Sequence, residues 1–329
     1  MYKNFFNLSR NPFDLTPDPT CFVPTARHNE ALAALYYGVR RHKGVVVVTG
    51  EVGTGKTLLL RCLLRLFKES EEIAYAYLFN CRLSPLEFLY YTLSDFGVPM
   101  SGNTKSKLLM DLSKFVTTRG LKGLTTVLIV DEAHLLSTEL LEEIRLLSNL
   151  ETNEDKLLQI VLVGQPELDE KLDSYELRPF KQRIALRAHL GPLDHEESRR
   201  YIEERLRIAG AEMNGSPLFS KQTIGSIYRH SKGYPRLINT ICENALISAY
   251  ARQLTSVTTD MVDEVAKELR LDVVFSTGID RLNGHEDSDA ERAKGLLREL
   301  YETLQRPSEN RSGLNGALAV EASEHESNI

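Results

Sequence analysis

Short apolar runs alternate with longer segments of helical periodicity through the first 190 residues of the chain. The runs predict four buried strands: Val45–Thr49, Ile73–Phe79, Val127–Val130 and Leu157–Val163. Apolar residues three and four apart predict five helices: His28–Arg41, Leu58–Phe67, Pro85–Phe96, Lys105–Arg119 and Leu140–Leu150. Strands that are separated by helices, at spacings too long for hairpins, indicate an α/β domain with a parallel sheet covered on both faces.

The pattern changes after Leu190, where helical spacing continues without a convincing strand. Four helices are predicted here: Glu196–Ala209, Lys221–His230, Leu237–Gln253 and Asp260–Leu269. We therefore expect an α/β domain over residues 1–190 and a small all-helical lid domain over residues 191–271.

The two ends of the chain differ from this body. Turn formers fill the first 25 residues, but their four phenylalanines need a packing partner, so we expect an ordered, irregular arm. Residues 272–329 are polar and acidic, which predicts a mostly mobile tail. Ser288–Glu291 forms a capping box ahead of one apolar stripe, which predicts an amphipathic helix that packs on the body or docks a partner.

Composition narrows the class of protein. The chain has 329 residues and a net charge of −6, but the tail holds 12 acids and six bases, so the body is neutral. Four scattered cysteines lack C-x-x-C spacing, which argues against a zinc site or a disulfide framework. No apolar run approaches the roughly 18 residues of a membrane span, and the start lacks a signal-peptide pattern. A cytoplasmic location is expected.

A phosphate-binding pattern lies between the first strand and the helix that follows it. Residues 50–57 read G-E-V-G-T-G-K-T and match G-x-x-x-x-G-K-[ST]. Glycines let the backbone N–H groups wrap a phosphate, Lys56 brings a charge to it, and the Thr57 hydroxyl suits Mg²⁺. The candidate nucleotide-binding residues are Gly50, Glu51, Val52, Gly53, Thr54, Gly55, Lys56, Thr57 and Leu58.

Polar residues follow two of the other strands. Asp131 and Glu132 end the run Val127–Val130, which places Asp131 to hold Mg²⁺ through water and Glu132 to polarise an attacking water. Gln165 follows Leu157–Val163, and it either senses or orients that water or is a turn amide satisfied by the backbone. For His134, a polar contact at a helix start is favoured over metal ligation.

Arginines complete the candidate site. Arg183 precedes the apparent last strand of the α/β domain and is the first candidate for a finger that reaches a neighbouring subunit's nucleotide. Arg178 is the second candidate, and Arg187, within that strand, the weaker third; an ordinary surface salt bridge is the alternative. Arg236, at the start of a lid helix, is placed to reach back over the nucleotide and report hydrolysis.

With these residues the chain resembles AAA+ ATPases, and more narrowly the general secretion pathway protein A family and its relatives in exopolysaccharide and exosortase loci. The resemblance covers about residues 1–270. The segments that carry it beyond the P-loop are Phe5–Leu8, Asn11–Phe13, Pro17–Pro19, His28–Leu32, Tyr37–Gly38, Val130–Leu136, Gly164–Leu168, Gln182–Ile184 and Gly233–Asn239.

The resemblance implies a Walker A motif at 50–57, Walker B at Asp131 and Glu132, sensor 1 at Gln165, a finger near Arg183 and sensor 2 at Arg236. It also implies ATP, Mg²⁺ and nucleotide-dependent homo-oligomers. Secretion protein A continues into a membrane span and a peptidoglycan-binding region, and this sequence shows neither, so the soluble relatives fit better.

The leading hypothesis is a cytoplasmic ATPase, peripheral at the inner membrane through partners, that drives assembly or regulation of a secretion or polysaccharide-export apparatus. A DNA-binding regulator of the transposon target-selection or origin-recognition type is the alternative. A basic strip from Arg178 to Arg207 favours DNA, but interspersed acids dilute it, so DNA is the less favoured partner. A DEAH-type helicase is disfavoured because it needs two α/β cores and the chain predicts one.

Overall fold

The computed structural model describes residues 2–152, 155–211 and 217–271. The predicted tail, with its helix from Ser288, lies outside the described residues. The strands are β1 Val45–Gly50, β2 Ile73–Leu78, β3 Thr125–Val130, β4 Leu158–Gly164 and β5 Ile184–Leu190. The helices are α1 Tyr2–Phe5, α2 Ala26–Arg40, α3 Lys56–Lys68, α4 Pro85–Asp95, α5 Lys105–Gly120, α6 Thr138–Leu147, α7 Glu167–Leu172, α8 Arg178–Lys181, α9 His195–Ile208, α10 Lys221–Ser231, α11 Pro235–Ala251 and α12 Thr259–Glu268.

The five strands form one parallel sheet in the order β2-β3-β4-β1-β5. β1 pairs with β4 and β5, and β4 separates β1 from β3. Helices α2 and α3 cover one face, and helices α4 to α6 cover the other. The predicted class, a P-loop parallel sheet with helices on both faces followed by a helical region, is confirmed. Because all strands run the same way, β1, β3 and β4 end at one edge of the sheet.

Local chemistry explains where the helices begin. Ser84 caps α4 with a complete capping box, as its position before a proline predicts. α6 begins at Thr138, two residues before the predicted start, because the Ser137 hydroxyl accepts from the Leu140 N–H. α11 begins at Pro235 because proline is well suited to a first helical turn. The predicted bounds of the elements named from the sequence differ from the observed ones by at most three residues, and several coincide.

The N-terminal arm packs against the helical region. Tyr2, Phe6, Leu8 and Phe13 are buried among side chains of α9 to α12, and Phe13 meets Phe219 edge to face. We predicted that the arm belongs to the α/β domain because it precedes that domain in the chain. Most apolar side chains of the arm instead lie in the helical core. The division at residues 190 and 271 stays a prediction. Within the described ranges, every helix is too short or too polar to cross a bilayer.

Candidate functional site

The loop between β1 and α3 has a shape that only glycine permits. Gly53 and Gly55 adopt φ values of +84° and +99°. A Cβ atom on Gly50 would lie 2.4 Å from the carbonyl oxygen of Leu190, and one on Gly53 would lie 2.9 Å from Cβ of Arg236. The backbone therefore makes close approaches that leave no room for side chains. A cradle of this kind, opening onto the first turn of a helix, fits a phosphate group.

Lys56 places its ammonium group across this loop. The residue is 7% exposed, and Nζ donates hydrogen bonds to the carbonyl oxygens of Gly50, at 2.6 Å, and Glu51, at 3.0 Å. Burial lowers the pKa of Lys56, and the carboxylates of Glu132 and Asp131 act in the opposite direction. The ammonium thus lies between the loop and two acids, where a phosphate chain would find a positive charge.

Four groups hold Asp131 at the end of β3. Tyr77, on β2, donates its hydroxyl proton to Oδ2 at 2.8 Å, and Thr57 donates to the same oxygen at 3.4 Å. The N–H of Glu132 donates to Oδ1 at 2.9 Å, and the Cys81 thiol donates to the Asp131 carbonyl oxygen at 2.9 Å. A hydroxyl beside a carboxylate is an oxygen pair of the type that Mg²⁺ prefers, so Thr57 and Asp131 fit that ion.

Burial and the nearby Asp131 charge raise the pKa of Cys81 to about 12 and raise that of Tyr77 as well. Both groups therefore keep their protons and act as donors to Asp131. Neither was predicted. The alternation of Tyr75 and Tyr77 along β2 indicates that they share a face of the sheet, but not that this face meets Asp131.

Glu132, His134 and Gln165 form a chain of polar contacts beside Asp131. Glu132 adopts the left-handed conformation, with φ +54°, which turns the backbone sharply after β3. Nδ1 of His134 lies 3.4 Å from Oε2 of Glu132, and Nε2 lies 3.0 Å from the amide nitrogen of Gln165. Gln165 directly follows β4, the strand between those of Asp131 and the P-loop, which is its predicted place. Among the described residues, no group of three or more metal-ligating side chains forms.

These elements border a cleft of about 370 Å³. One wall is the P-loop with Lys56, Thr57 and Leu58; Glu132 also faces the cleft. The arm supplies Asp14 to Asp18, and the helical region supplies Tyr201, Arg205, Pro235, Arg236 and Asn239. The backbone N–H of Arg236 donates to the Gly53 carbonyl oxygen at 3.2 Å, so α11 begins against the P-loop. The volume suits a small ligand, and the site fits a nucleotide with its phosphates at the loop.

His28 supports the P-loop from behind and was not singled out from the sequence. It is 5% exposed; Nε2 lies 2.9 Å from the Thr54 carbonyl oxygen, and Nδ1 lies 2.7 Å from Oγ1 of Thr25. Burial is the main cause that lowers the pKa of His28, so the imidazole is held neutral, and a neutral ring satisfies both partners when Nε2 carries the proton. His28 therefore ties the start of α2 to the loop.

The three candidate finger arginines lie away from the cleft of their own chain. Arg183 is exposed and precedes β5, whose seven residues separate it from the carboxyl edge of the sheet by about 23 Å. Arg178 is exposed at the start of α8. Arg187 pairs with Asp169 at 3.0 Å and Asp173 at 3.6 Å. Among the described residues, Arg178 and Arg183 have no carboxylate partner.

Comparisons with known proteins agree with this geometry. Residues 39–172 match the family described as AAA domain. Over 253 residues the chain is 44% identical to general secretion pathway protein A of Aeromonas hydrophila. The similarity covers 77% of this chain and 45% of that protein, so the chain spans less than half the length of its relative.

Solved structures show the same fold at low identity. Cdc6p of Pyrobaculum aerophilum is 16% identical with a TM-score of 0.60, covering 88% of this chain and 84% of that one. The ORC2 protein of Aeropyrum pernix, in ADPNP–ADP complexes, is 18% identical with a TM-score of 0.57, covering 79% and 72%. A Drosophila ORC chain, bound to DNA, is 20% identical with a TM-score of 0.57, covering 90% and 80%. These likenesses establish the fold alone.

Proposed function

Since the chain is an AAA+ protein related to general secretion pathway protein A, we propose that it binds ATP with Mg²⁺ and hydrolyses it to ADP and phosphate. The observation that carries the proposal is the convergence of a glycine-shaped phosphate loop, the Thr57–Asp131 pair and Glu132 at one edge of the sheet. A phosphate-binding loop alone would support nucleotide binding, whereas a carboxylate that faces the same cleft supports hydrolysis.

Each residue has a part in this proposal. Lys56 leaves the loop carbonyls for the β- and γ-phosphates, and the P-loop N–H groups bind the same oxygens. Thr57 and Asp131 hold Mg²⁺, which neutralises charge on the phosphates when bound. Glu132 polarises the attacking water and Gln165 orients it. Arg236, on the first turn of α11, reaches over the nucleotide and reports whether it has been hydrolysed.

Two substitutions test this proposal. Lys56→Ala removes the phosphate charge and should weaken ATP binding. Glu132→Gln should bind ATP but turn over at least about 100-fold more slowly, because the amide cannot take a proton from water. Phosphate release and nucleotide titration measure the two effects. Hydrolysis by Glu132→Gln at the wild-type rate would remove the role given to that carboxylate.

The cellular role is proposed from the relative. The chain acts at the cytoplasmic side of the inner membrane, held by protein partners, in the assembly or regulation of a secretion or polysaccharide-export apparatus. Support comes from the 44% identity to a protein of general secretion. Deletion of the gene should reduce protein secretion or polysaccharide export, and the wild-type gene, but not the Glu132→Gln gene, should restore it. Normal secretion and export in the deletion strain would contradict the role.

On α9, the contacts of the basic strip weigh against the DNA-binding alternative. Arg199 pairs with Glu196 and Glu203, Arg207 pairs with Glu204, and Arg205 is buried. These guanidinium groups are paired with carboxylates of the same chain or buried, whereas DNA binding needs exposed basic groups that can contact phosphates. Binding to a DNA fragment that weakens steeply as salt rises would favour the alternative; no retention on DNA at low salt would exclude it.

The proposal extends to homo-oligomers that form with ATP. Arg183 is exposed, has no carboxylate partner among the described residues, and lies at the sheet edge opposite its own cleft. A guanidinium at this edge can reach the γ-phosphate bound by a neighbouring chain more easily than the one bound by its own chain. Arg178 is the second choice for this part. Arg187 ranks below both because Asp169 and Asp173 already neutralise it.

A further inference from the structure

One buried amide on the wall of the cleft has a donor without a partner. Asn239, on α11, lines the cleft and is 8% exposed. Its amide oxygen accepts a hydrogen bond from the Tyr201 hydroxyl at 2.9 Å, but its amide nitrogen has no hydrogen-bond partner among the described residues. That nitrogen is also not one of their fully buried unpaired atoms, so it can be reached from the cleft. An unpaired donor on a buried residue favours a ligand atom that accepts.

Tyr201 decides which end of the Asn239 amide a ligand meets. Tyr201, on α9, is 6% exposed, and burial raises the pKa of its hydroxyl, so the hydroxyl keeps its proton. Within the described part of the chain, the Asn239 oxygen is the one acceptor of that proton. A reversed amide would leave the Tyr201 proton unpaired in the interior, which is unfavourable. The oxygen is therefore committed to Tyr201, and the nitrogen is the atom that remains for a ligand.

Asn239 lies beyond the phosphate end of the cleft. Arg236, three residues earlier, begins α11 against the P-loop by donating its backbone N–H to the Gly53 carbonyl oxygen. Three residues advance a helix by about 4.5 Å and return the side chain to nearly the same face. A nucleotide whose phosphates bind the P-loop would extend along this face with its sugar and base. Asn239 is placed to meet that part of the ligand.

The surroundings of Asn239 favour the base over the sugar. Tyr201 contacts the amide, and Pro235 lies one turn earlier on the same face of α11; both residues line the cleft. An aromatic ring and a proline suit the flat face of a heterocycle better than the hydroxyls of a ribose. Adenine carries three ring nitrogens without hydrogen, N1, N3 and N7, which accept from an N–H, whereas its amino group is a donor.

We propose that Asn239 determines the affinity of the site for the base of the nucleotide: its amide nitrogen donates a hydrogen bond to an unprotonated ring nitrogen of adenine, and Tyr201 holds the amide in the orientation that allows this. The inference rests on the proposed function, the binding of ATP. It concerns the base alone, whereas Lys56 and Thr57 act at the phosphates.

Asn239→Asp in the full chain tests the contact, because aspartate keeps the shape and the acceptor for Tyr201 but replaces the donor with an oxygen. We compare the binding of ATP with that of 1-deaza-, 3-deaza- and 7-deaza-ATP, each of which has a C–H in place of one ring nitrogen. One of the three should bind the wild type about 10-fold more weakly than ATP does. ATP should bind Asn239→Asp about 10-fold more weakly than wild type, whereas that analogue should bind this variant at least as well as ATP, since its C–H does not repel a carboxylate.

Asn239→Ala is the second variant, since it has neither the donor nor a new charge. It should bind ATP and that same analogue equally. Asn244→Asp is the matched control: Asn244 lies on the same helix but is exposed, and its amide nitrogen donates to the Thr240 carbonyl oxygen at 2.8 Å. This control should leave all four affinities unchanged.

Three results would overturn the inference. The first is a wild type that binds all three analogues as tightly as ATP, and the second is an equal loss of all four nucleotides in both Asn239 variants, which indicates a structural role. The third is a contact at the ribose, shown if 2′-deoxy-ATP is the one ligand whose weaker binding to wild type disappears in the variants. A wild-type chain that binds none of these nucleotides would instead refute the proposed function, and the inference would fall with it.

Discussion

Tyr77 donates its hydroxyl proton to Oδ2 of Asp131, the oxygen that Thr57 also faces. Tyr77→Phe removes that donor but keeps the ring, so we expect the Mg²⁺ concentration for half-maximal hydrolysis to rise about 10-fold. A Mg²⁺ titration at saturating ATP measures this change. Tyr75→Phe is the control, because Tyr75 lies two residues away on β2 and its ring packs near Phe67. Equal Mg²⁺ midpoints in the two variants would show that the Tyr77 hydroxyl does not position Asp131.

A second prediction at the residue scale concerns the effect of His28 on how the stability of the fold depends on pH. Burial lowers its pKa in the folded chain below the ordinary value of about 6.5, so below that pH the unfolded chain binds a proton that the folded chain does not. The contribution of His28 to stability is therefore complete above about pH 6.5 and falls as the pH drops, by up to about 1.4 kcal/mol per unit.

Urea unfolding of wild type and His28→Gln at several pH values between 5 and 8 tests the direction in which stability changes with pH. Glutamine keeps a donor for the Thr54 carbonyl oxygen but does not titrate. The wild type should lose stability relative to the variant as the pH falls. Parallel curves would contradict a neutral, buried His28.

Residues of the site that are adjacent in sequence could be predicted, and those joined by folding could not. Residues 50–57 and Asp131–Glu132 are short patterns whose chemistry is legible without a structure. His28 meets Thr54 across 26 positions, and Tyr77 meets Asp131 across 54. A single sequence does not predict these two contacts, because they depend on how α2 and β2 pack.

At the scale of elements, α9 and the arm are joined by one buried side chain. Arg205 donates hydrogen bonds to the carbonyl oxygens of Pro12, Asp14 and Cys21 and is 5% exposed. Lysine cannot reproduce this, because a single ammonium lacks the planar fork of five N–H donors. Arg205→Lys should loosen the arm where it borders the cleft and weaken ATP binding about 10-fold, by the loss of roughly one charged hydrogen bond.

Nucleotide titration against Arg207→Lys checks this prediction. Arg207 lies on the same helix but pairs at the surface with Glu204, so its substitution should leave ATP affinity unchanged. Faster proteolysis of the first 20 or so residues should accompany Arg205→Lys, since the arm loses its anchor. ATP affinity that is the same in both variants would separate the arm from nucleotide binding.

The elements themselves were largely predictable, since unbroken apolar runs between helices leave few alternatives to a parallel sheet. The partner of the arm was not. The phenylalanines Phe6 and Phe13 show that the arm must bury surface, but the sequence does not state which core receives them. Both lie in the helical core, far along the chain from their own position.

At the scale of the whole molecule, the proposal assigns the residues of one site to two chains. Arg183→Ala should bind ATP normally yet lose turnover, and Glu132→Gln should do the same for a different reason. Mixed, the two should recover part of the activity, because an Arg183→Ala subunit keeps Glu132 and borrows Arg183 from its neighbour. Hydrolysis assays on the mixture, with sedimentation in ATP and in ADP, measure recovery and assembly.

Measurements of assembly serve as the control for this mixing assay. ATP should promote a larger species that ADP does not, and specific activity should rise with protein concentration. Arg187→Ala is the matched variant, because Asp169 and Asp173 hold that guanidinium in its own chain. A fully active monomer, or no recovery in assemblies shown to contain both variants, would make Arg183 a structural residue.

Helix α11 touches the P-loop at one end and the beginning of the chain at the other. Arg236, in its first turn, donates its backbone N–H to Gly53. Further along, Glu243 accepts from the Tyr2 hydroxyl, and the Tyr250 ring meets Phe5. Seventeen helical residues make a stiff rod of about 25 Å. We expect a displacement of Gly53 by a bound nucleotide to be carried along this helix to the surface around Tyr2, and a force on the first residues to reach the P-loop through the same helix.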